Sequence, residues 1–261
     1  IIMNLKSFIS KIFWSSFSSK KKIEKYQKII RDSEWSELKQ YIPENVKFLD
    51  VGCGSGDNLY RAKNELSCDV FGIDPIPGNH GVGRFSENQL EATITIEQGF
   101  SENLPYEDNC FDVVFCSHVL EHVNDERKSL NEMKRVLKDE GILIIGMPTA
   151  LMGWISLLSN YIFTTNSKIL SCLKTIGKKE FFNNIRYIFL PNSHSYPRAK
   201  TILYDLYHYR VKNWKKIVSK EFKINTKLTP YLYPFPDYPQ FFRIRKSKIG
   251  SSSVFFICKK P

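Results

Sequence analysis

The chain reads Phe48-Leu49-Asp50-Val51-Gly52-Cys53-Gly54-Ser55-Gly56 at the point where a short apolar run meets three closely spaced glycines. A run of this length and composition predicts a buried β-strand over residues 46–51. A glycine-rich turn after a strand lets a ligand approach the backbone, because glycine has no side chain and tolerates positive φ. Asp74 stands eighteen residues past Gly56, where an acidic residue accepts the ribose hydroxyls of an adenine nucleotide. The G-x-G-x-G spacing after Asp50 favours a nucleoside ligand without a pyrophosphate.

Strands and helices alternate along the rest of the chain. Short apolar or alternating runs predict further strands over residues 69–73, 93–97, 111–116, 142–147, 223–228 and 253–258. Helical spacing predicts a first helix that stops at Pro43 and a second that contains Leu59 and Ala62. It also predicts a third helix that contains Leu130 and ends near Gly141, and a fourth over residues 199–222. We therefore expect a doubly wound, Rossmann-like α/β fold with a mostly parallel, seven-stranded sheet.

This alternation divides the chain into four predicted segments. They are an N-terminal amphipathic and basic helical segment (1–43), a ligand-binding core (44–148), an aromatic, helix-prone insertion after the fifth strand (149–198), and a C-terminal helix with the last strands (199–261). The insertion is expected to act as a lid over the site. The loop at 75–85 is longer than a tight α/β connection requires.

The composition excludes several classes of protein. With 261 residues, of which 42% are hydrophobic, the chain is neither disordered nor a disulfide-stapled mini-protein. Its six cysteines show no CxxC pair and no metal-ligand spacing, which indicates reduced thiols in a cytoplasmic protein and argues against structural zinc.

The net charge of +11 conceals an uneven distribution. Residues 1–40 carry nine basic and four acidic side chains, residues 41–164 carry nine and nineteen, and residues 165–261 carry twenty and four. The resulting basic and aromatic last third suits nucleic acid, an anionic membrane or a phosphate-bearing substrate about equally well.

Two apolar stretches raise the question of a membrane. Residues 1–19 combine lysines with Phe8, Phe13 and Trp14, which allows peripheral contact with the inner face of a membrane, although a terminal helix packed on its own domain is the favoured interpretation. Residues 141–167 carry no charge, but Pro148 and Gly153 interrupt the run, so a buried strand is favoured over a transmembrane helix.

Four further blocks follow the glycine stretch. They are Gly99-Phe100-Ser101-Glu102-Asn103-Leu104-Pro105-Tyr106, Phe111-Asp112-Val113-Val114, Ser117-His118-Val119-Leu120-Glu121-His122-Val123 and Arg135-Val136-Leu137-Lys138, closed by Gly141. In this order and spacing, over about a hundred residues, the blocks resemble the class I S-adenosylmethionine-dependent methyltransferases. The resemblance implies S-adenosylmethionine as cofactor, S-adenosylhomocysteine as product, and an antiparallel last strand.

The resemblance also implies which residues contact the cofactor. Asp50 would lie near its amino group, Asp74 at the ribose hydroxyls, and His118 beneath the sulfonium. The full implied set is Asp50, Gly52, Cys53, Gly54, Gly56, Asp74, Pro75, Ser101, Glu102, Cys116, Ser117 and His118. Phe100 is a departure, because the family often has an acidic residue there; the adenine amino group would then depend on Glu102 or on backbone groups.

Catalysis at an oxygen acceptor needs a base. His118 is the first candidate, because it follows the fourth strand and its ordinary pKa suits proton transfer near neutral pH. Ser193-His194-Ser195, Tyr204-Asp205-Leu206-Tyr207 and Trp214 resemble, less specifically, methyltransferases of cell-surface polysaccharide clusters; this makes His194 a second candidate base or substrate ligand.

The same resemblance suggests an acceptor pocket lined by Tyr196, Arg198 and Tyr207. Glu121 and His122 could hold a divalent metal, but two ligands do not make a site, so no metal is expected.

The sequence therefore predicts methyl transfer to a small-molecule or glycan-type acceptor, at oxygen, with a sugar, surface-polysaccharide, phosphate-bearing or lipid-linked molecule as the expected substrate. N-methylation of a small or phosphorylated amine is the first alternative. RNA binding or RNA methylation is the second, suggested by the basic last third. Against it, the chain lacks an Asn/Asp-Pro-Pro-Tyr block and a recognisable RNA-binding appendage, so nucleic acid is not the expected partner.

Overall fold

The computed structural model describes residues 20–78, 94–195, 199–233, 246 and 250–261. The strands are β1 (Lys47–Val51), β2 (Asp69–Asp74), β3 (Ile96–Gln98), β4 (Phe111–Ser117), β5 (Leu137–Pro148), β6 (Lys223–Leu228) and β7 (Ser253–Lys259). The helices are α1 (Lys20–Leu38), α2 (Asp57–Leu66), α3 (Glu126–Val136), α4 (Ala150–Lys174), α5 (Phe181–Phe189), α6 (Ile202–His208) and α7 (Val211–Val218), with a 3-10 turn at Lys39–Tyr41 after α1.

The seven strands form one sheet in the order β3-β2-β1-β4-β5-β7-β6. The first five strands are parallel to one another, while β7 runs antiparallel to both β5 and β6. The chain order reverses direction at β1, next to β4, which is the place where ligands bind in open α/β sheets. The prediction of a mostly parallel, seven-stranded sheet with an antiparallel last strand is confirmed.

Helices cover both faces of the sheet, which is why its central strands are apolar on both sides. On one face, α3 and α7 pack Met133 and Trp214 against Leu49 and other strand residues. On the opposite face, α1 and α2 pack against Phe48. Adjacent residues of β1 thus enter two separate cores, as the two-residue period of a strand requires.

Two predicted helices end differently from the expectation. The third helix stops at Val136 rather than near Gly141, because Leu137 already pairs with Phe111 as the first residue of β5. Leu137 also fits the helical spacing of Leu130 and Met133, so periodicity alone could not place this boundary. The helix predicted over 199–222 is two helices, α6 and α7. They separate at Tyr209, whose carbonyl accepts a hydrogen bond from the amide of Ala150.

The insertion after β5 is helical, as predicted, and consists of α4 and α5. Thr149 caps α4 by accepting a hydrogen bond from the amide of Met152, and it donates one to the carbonyl of Ser251 at 2.5 Å. Helix α4 contacts both α5 and α6. None of the described helices is long and apolar enough to cross a membrane. Residues 1–19 and 79–93, which include most of the predicted long loop, lie outside the described residues.

Candidate active site

The glycine loop joins β1 to α2 at the carboxyl edge of the sheet. Gly52, Gly54 and Gly56 all have positive φ, at 73°, 58° and 85°. The amides of Gly52 and Cys53 donate to the carbonyl of Ile73, which anchors the loop to the end of β2. Glycine is the residue that adopts these angles without a steric cost, so the sequence pattern and the backbone agree.

Asp50 is a buried carboxyl beneath this loop. One of its oxygens, Oδ2, has no hydrogen-bond partner. Burial raises the pKa of Asp50 to about 8, an effect that a hydrogen bond from Asn58 opposes and the nearby Asp74 carboxylate reinforces. A buried, unpaired oxygen is costly unless a ligand satisfies it, and a cationic amino group would do so. Asp50 therefore fits the predicted place beside the amino group of S-adenosylmethionine.

Asp74 ends β2 and faces the glycine loop. Its Oδ2 accepts the amide of Gly54 at 2.8 Å, and its Oδ1 accepts the amide of Ile76 at 2.9 Å. Each carboxylate oxygen still has a second lone pair, which leaves room for the predicted ribose hydroxyls. Asp74 thus positions the loop as well as offering acceptors to a ligand. The side-chain amide of Gln98 donates to the carbonyl of the next predicted contact residue, Pro75.

Four other predicted cofactor residues have partly or fully buried side chains. Ser101 is buried and hydrogen-bonds the hydroxyl of Ser129 and the carboxylate of Glu102. Glu102 accepts the amide of Asn124, which ties its block to the start of α3. Cys116 is fully buried in the core, so its thiol packs there, while Ser117 at the end of β4 is half-buried. Their predicted contacts with adenine and sulfonium stay predictions.

The turn at residues 118–122 leads out of β4 and packs on the glycine loop. A Cβ atom at Gly52 would lie 2.2 Å from Cγ2 of Val119, so the two segments are in direct contact. His118 has a positive φ of 57°, and its amide donates to Gly146 on β5. The segment is a hydrogen-bonded turn that precedes α3.

His118 is held on both of its ring nitrogens. Nε2 lies 3.0 Å from the hydroxyl of Ser253, and Nδ1 lies 3.5 Å from Oε1 of Glu121. Glu121 is only 1% exposed, and both of its carboxylate oxygens lack a hydrogen-bond partner. Burial opposes its ionisation, yet His118, His122 and His194 together hold the pKa of Glu121 down at about 2.

The insertion places His194 beside this turn. The imidazole rings of His122 and His194 are 4.9 Å apart between centroids, and Nε2 of His122 lies 3.9 Å from Oε1 of Glu121. Burial is the main reason that the pKa of His194 falls to about 3, so its ring is neutral at physiological pH. The two histidines predicted as catalytic, His118 and His194, thus both lie close to Glu121, and His122 is the more exposed third histidine.

Asp205 on α6 builds the loop that carries His194. Its carboxylate accepts the hydroxyl of Ser193 at 2.5 Å and the amide of His194 at 2.8 Å. Ser195 completes the loop through a hydrogen bond to Tyr209. Burial raises the pKa of Asp205 to about 6, against the hydrogen bonds that stabilise its charge. The Ser-His-Ser motif is therefore an anchored loop.

A chain of buried polar groups connects the site to α1, and no motif in the sequence indicates it. Tyr233 hydrogen-bonds both Glu34 on α1 and Ser253 on β7, and Ser253 contacts His118. Arg31 pairs with the other oxygen of Glu34 at 2.6 Å. Because these groups come from distant parts of the chain, no local motif could have revealed them.

The predicted acceptor residues are only partly described. Tyr207 is exposed on α6, with the guanidinium of Arg210 4.8 Å above its ring. Tyr196 and Arg198 lie outside the described residues. The acceptor pocket therefore stays a prediction.

The profile of a methyltransferase domain family matches residues 49–145. This segment runs from β1 to β5 and contains the glycine loop, Asp74 and the 118–122 turn. Together with the sheet order, the match shows that this segment is similar to a methyltransferase domain. S-adenosylmethionine stays the cofactor that we predict for it.

Known proteins resemble the chain in sequence over about a hundred residues and in fold over most of its length. It is 34% identical over 105 residues to an ajmaline N-methyltransferase of Rauvolfia serpentina, covering 40% of this chain and 35% of that one. It is 31% identical over 102 residues to a ubiquinone biosynthesis O-methyltransferase of Azorhizobium caulinodans, covering 39% and 40%. The chain thus spans less than half the length of these curated relatives. The crystal structure of an S-adenosylmethionine-dependent methyltransferase from Thermotoga maritima shares the fold, with a TM-score of 0.53, 18% identity and 92% of each chain covered.

Proposed function

We propose that the chain transfers a methyl group from S-adenosylmethionine to an oxygen atom of a small-molecule or glycan-type acceptor. The observation that carries this proposal is the contact between the glycine loop and the 118–122 turn, through Gly52 and Val119. This contact sets the groups that suit a cofactor next to the groups that suit an acceptor hydroxyl.

The cofactor side of the site is formed by the chain's own carboxylates and backbone. Asp50 offers an unpaired buried oxygen to the cofactor's amino group, and Asp74 offers acceptors to the ribose. Between these two carboxylates, the three glycines of the loop leave the backbone open to a ligand. When bound, S-adenosylmethionine supplies a reactive methyl group on a positively charged sulfur. The protein's contribution is alignment and exclusion of water.

The acceptor side favours a hydroxyl over an amine. A hydroxyl becomes a good nucleophile only as it loses its proton, so it needs a basic or charge-stabilising group beside it. Glu121 and three histidines provide such an environment. His118 is fixed between Ser253 and Glu121, which suits a positioning role, whereas 42% of the His122 side chain is exposed and can meet an acceptor.

The surface around the site supports a phosphate-bearing or sugar-like acceptor. Tyr207 on α6, two residues beyond Asp205, forms an exposed aromatic and cationic pair with Arg210, which precedes α7. The last third of the chain carries twenty basic against four acidic side chains. Aromatic faces bind sugar rings, and cations bind phosphate.

The first test is calorimetric titration of the purified protein with S-adenosylmethionine and, separately, with S-adenosylhomocysteine. We expect affinities in the micromolar range. Asp74→Asn should weaken cofactor binding at least about tenfold, because it removes a charged acceptor. Asp69→Asn is the matched control: Asp69 is exposed at the opposite end of the same strand, so affinity should not change. Absence of binding in the wild-type protein would refute the proposed function.

The acceptor is then sought by measuring S-adenosylhomocysteine release with sugars, sugar phosphates and amines. Turnover with hydroxyl acceptors supports O-methylation. Turnover with amines alone would replace it by N-methylation, the activity named for the Rauvolfia relative.

A further inference from the structure

We propose that Glu121, His122 and His194 bind a divalent transition-metal ion. The sequence offered only the adjacent pair Glu121 and His122, which is too few ligands for a site. The fold adds the third from the insertion, more than seventy residues further along the chain.

The donor atoms of the three residues are close enough for a shared ion. One carboxylate oxygen and one ring nitrogen from each histidine all lie within 4.8 Å of one another. Metal–ligand bonds of about 2.0–2.2 Å place neighbouring ligands about 3–3.5 Å apart. Oε1 of Glu121 and Nε2 of His122 are 3.9 Å apart, so small side-chain rotations bring the donors to bonding distance.

The second observation is the state of Glu121 itself. Its side chain is inaccessible to solvent, and neither carboxylate oxygen accepts a hydrogen bond. A buried carboxylate without such partners is expensive, and proteins normally pair it or use it to coordinate a metal. Nδ1 of His118 lies 3.5 Å from Oε1 of Glu121 without hydrogen-bond geometry. A bound cation would compensate this charge.

The surroundings also provide the support that metal ligands usually have. Asp205 fixes the backbone at His194 by accepting its amide. Ser253 holds the ring of His118 against Glu121 from the other side. Partners of this kind orient ligands and commonly affect metal affinity about 10–100-fold.

The ligand set selects the class of metal. Two imidazoles and one carboxylate suit Zn²⁺ or Fe²⁺ with open coordination positions, whereas Mg²⁺ prefers oxygen ligands and keeps several waters. The exposed side of His122 leaves space for an acceptor hydroxyl. A metal-bound hydroxyl loses its proton more easily, so the ion would favour O-methylation; this role in methyl transfer, unlike the binding itself, rests on the proposed function.

The test is equilibrium dialysis of the chelator-treated full chain against Zn²⁺, Mn²⁺ and Mg²⁺ salts. We expect one Zn²⁺ per chain, bound more tightly than Mg²⁺. His122→Ala, at an exposed position, should weaken Zn²⁺ binding by about 100-fold or more, and Glu121→Gln should do the same. Asp205→Asn should weaken it about tenfold, as loss of a supporting hydrogen bond does.

Two matched variants make the result specific. His208→Ala removes an exposed histidine of α6 outside the cluster, and Glu140→Gln removes an exposed carboxylate near the start of β5; both should bind Zn²⁺ as the wild type does. Equal loss in the His208 and His122 variants, or no difference between wild type and the His122 variant, would overturn the metal site. Cofactor titration of the same samples separates the two proposals, because the His122 variant should still bind S-adenosylmethionine.

Discussion

At the scale of single residues, Asp50 links the cofactor site to the stability of the fold. Its pKa rises to about 8 on folding, mainly through burial, while Asn58 and Arg31 oppose the rise and Asp74 and Asp57 add to it. The folded state therefore holds a proton that the unfolded state has already released above about pH 4. The resulting contribution to stability is complete below pH 4 and is lost progressively as the pH rises through about 8.

We therefore predict that Asp50→Asn flattens the pH dependence of stability. Between pH 5 and 8.5 the wild-type melting temperature should fall more than that of the variant, because Asn has no proton to lose. Parallel curves for the two proteins, measured by thermal unfolding, would contradict the assignment.

We also predict that the carboxyl group of Asp50 releases a proton when the cofactor binds. Near pH 7 Asp50 is mostly protonated, and a cationic amino group beside it favours the charged form. Calorimetry in buffers with different ionisation enthalpies should show release of close to one proton per S-adenosylmethionine bound. The release should vanish in Asp50→Asn and persist in Asp69→Asn; a wild-type binding enthalpy that is the same in every buffer would exclude this coupling.

Gly52 gives a prediction about packing. Alanine there would place its Cβ 2.2 Å from Val119 at a φ of 73°, so Gly52→Ala should destabilise the fold by about 2–4 kcal/mol. Shortening the neighbour in Gly52→Ala/Val119→Ala removes the clash and should recover part of the loss, leaving the cost of the backbone angle. A double-mutant cycle by chemical denaturation measures this coupling, and strictly additive effects would show that the two side chains do not meet.

The site residues that the sequence could predict differ from the others in how far apart their contacts lie along the chain. Asp50, Gly52 and Asp74 lie in one strand-turn-helix-strand unit, so local spacing places them. The Glu121–His194 contact depends on how the insertion folds back, and no local pattern contains that information. His194 was nevertheless identified as a candidate, from a resemblance rather than from spacing.

At the scale of elements, α1 is attached to the site by Tyr233. This buried tyrosine donates to Glu34 on α1 and shares a hydrogen bond with Ser253 on β7. Tyr26 and Ile30 of α1 pack against the same side chain. The helix that precedes the domain thus shares its polar network.

Tyr233→Phe should therefore cost about 1–3 kcal/mol of folding free energy, because it leaves the buried Glu34 without one of its donors. Tyr231→Phe is the control from the same segment, since Tyr231 also reaches a carboxylate of α1, Glu37, at 3.3 Å but is only half-buried. Its loss should be below about 0.5 kcal/mol. Equal losses of folding free energy in urea denaturation would show that the buried hydroxyl of Tyr233 contributes no more than the half-buried hydroxyl of Tyr231.

Boundaries of elements were harder to predict than their existence. All seven strands were anticipated, because short apolar runs between turns are a strong signal in a buried sheet. The junction at Leu137 and the break at Tyr209 were missed, since each depends on a partner far away in sequence: Phe111 in one case and Ala150 in the other.

At the scale of the whole molecule, the predicted core segment 44–148 does not contain a complete core. The cluster on one sheet face includes Trp214, Val218 and Phe222 together with Val254 and Phe256. A fragment ending at 148 would expose the apolar side chains that these residues cover, and would leave the edge of β5 unpaired.

We predict that residues 44–148 expressed alone show no cooperative thermal unfolding, whereas the full chain does. The control is the fragment mixed with residues 199–261, which should restore part of the transition by supplying α7, β6 and β7. A cooperative transition in the isolated fragment would show that the last two strands are dispensable for folding.

The order of the last two strands also determines how the chain can fold during synthesis. The strand β7 is made last, yet it lies between β5 and β6 in the sheet. A nascent chain that has already folded its first five strands therefore keeps the edge of β5 open until β7 has left the ribosome. During that interval the open edge can accept β7 of a neighbouring copy instead of its own. This topology therefore exposes the protein to exchange of β7 between copies. Such misassembly is expected on crowded polysomes, where several nascent copies lie close together.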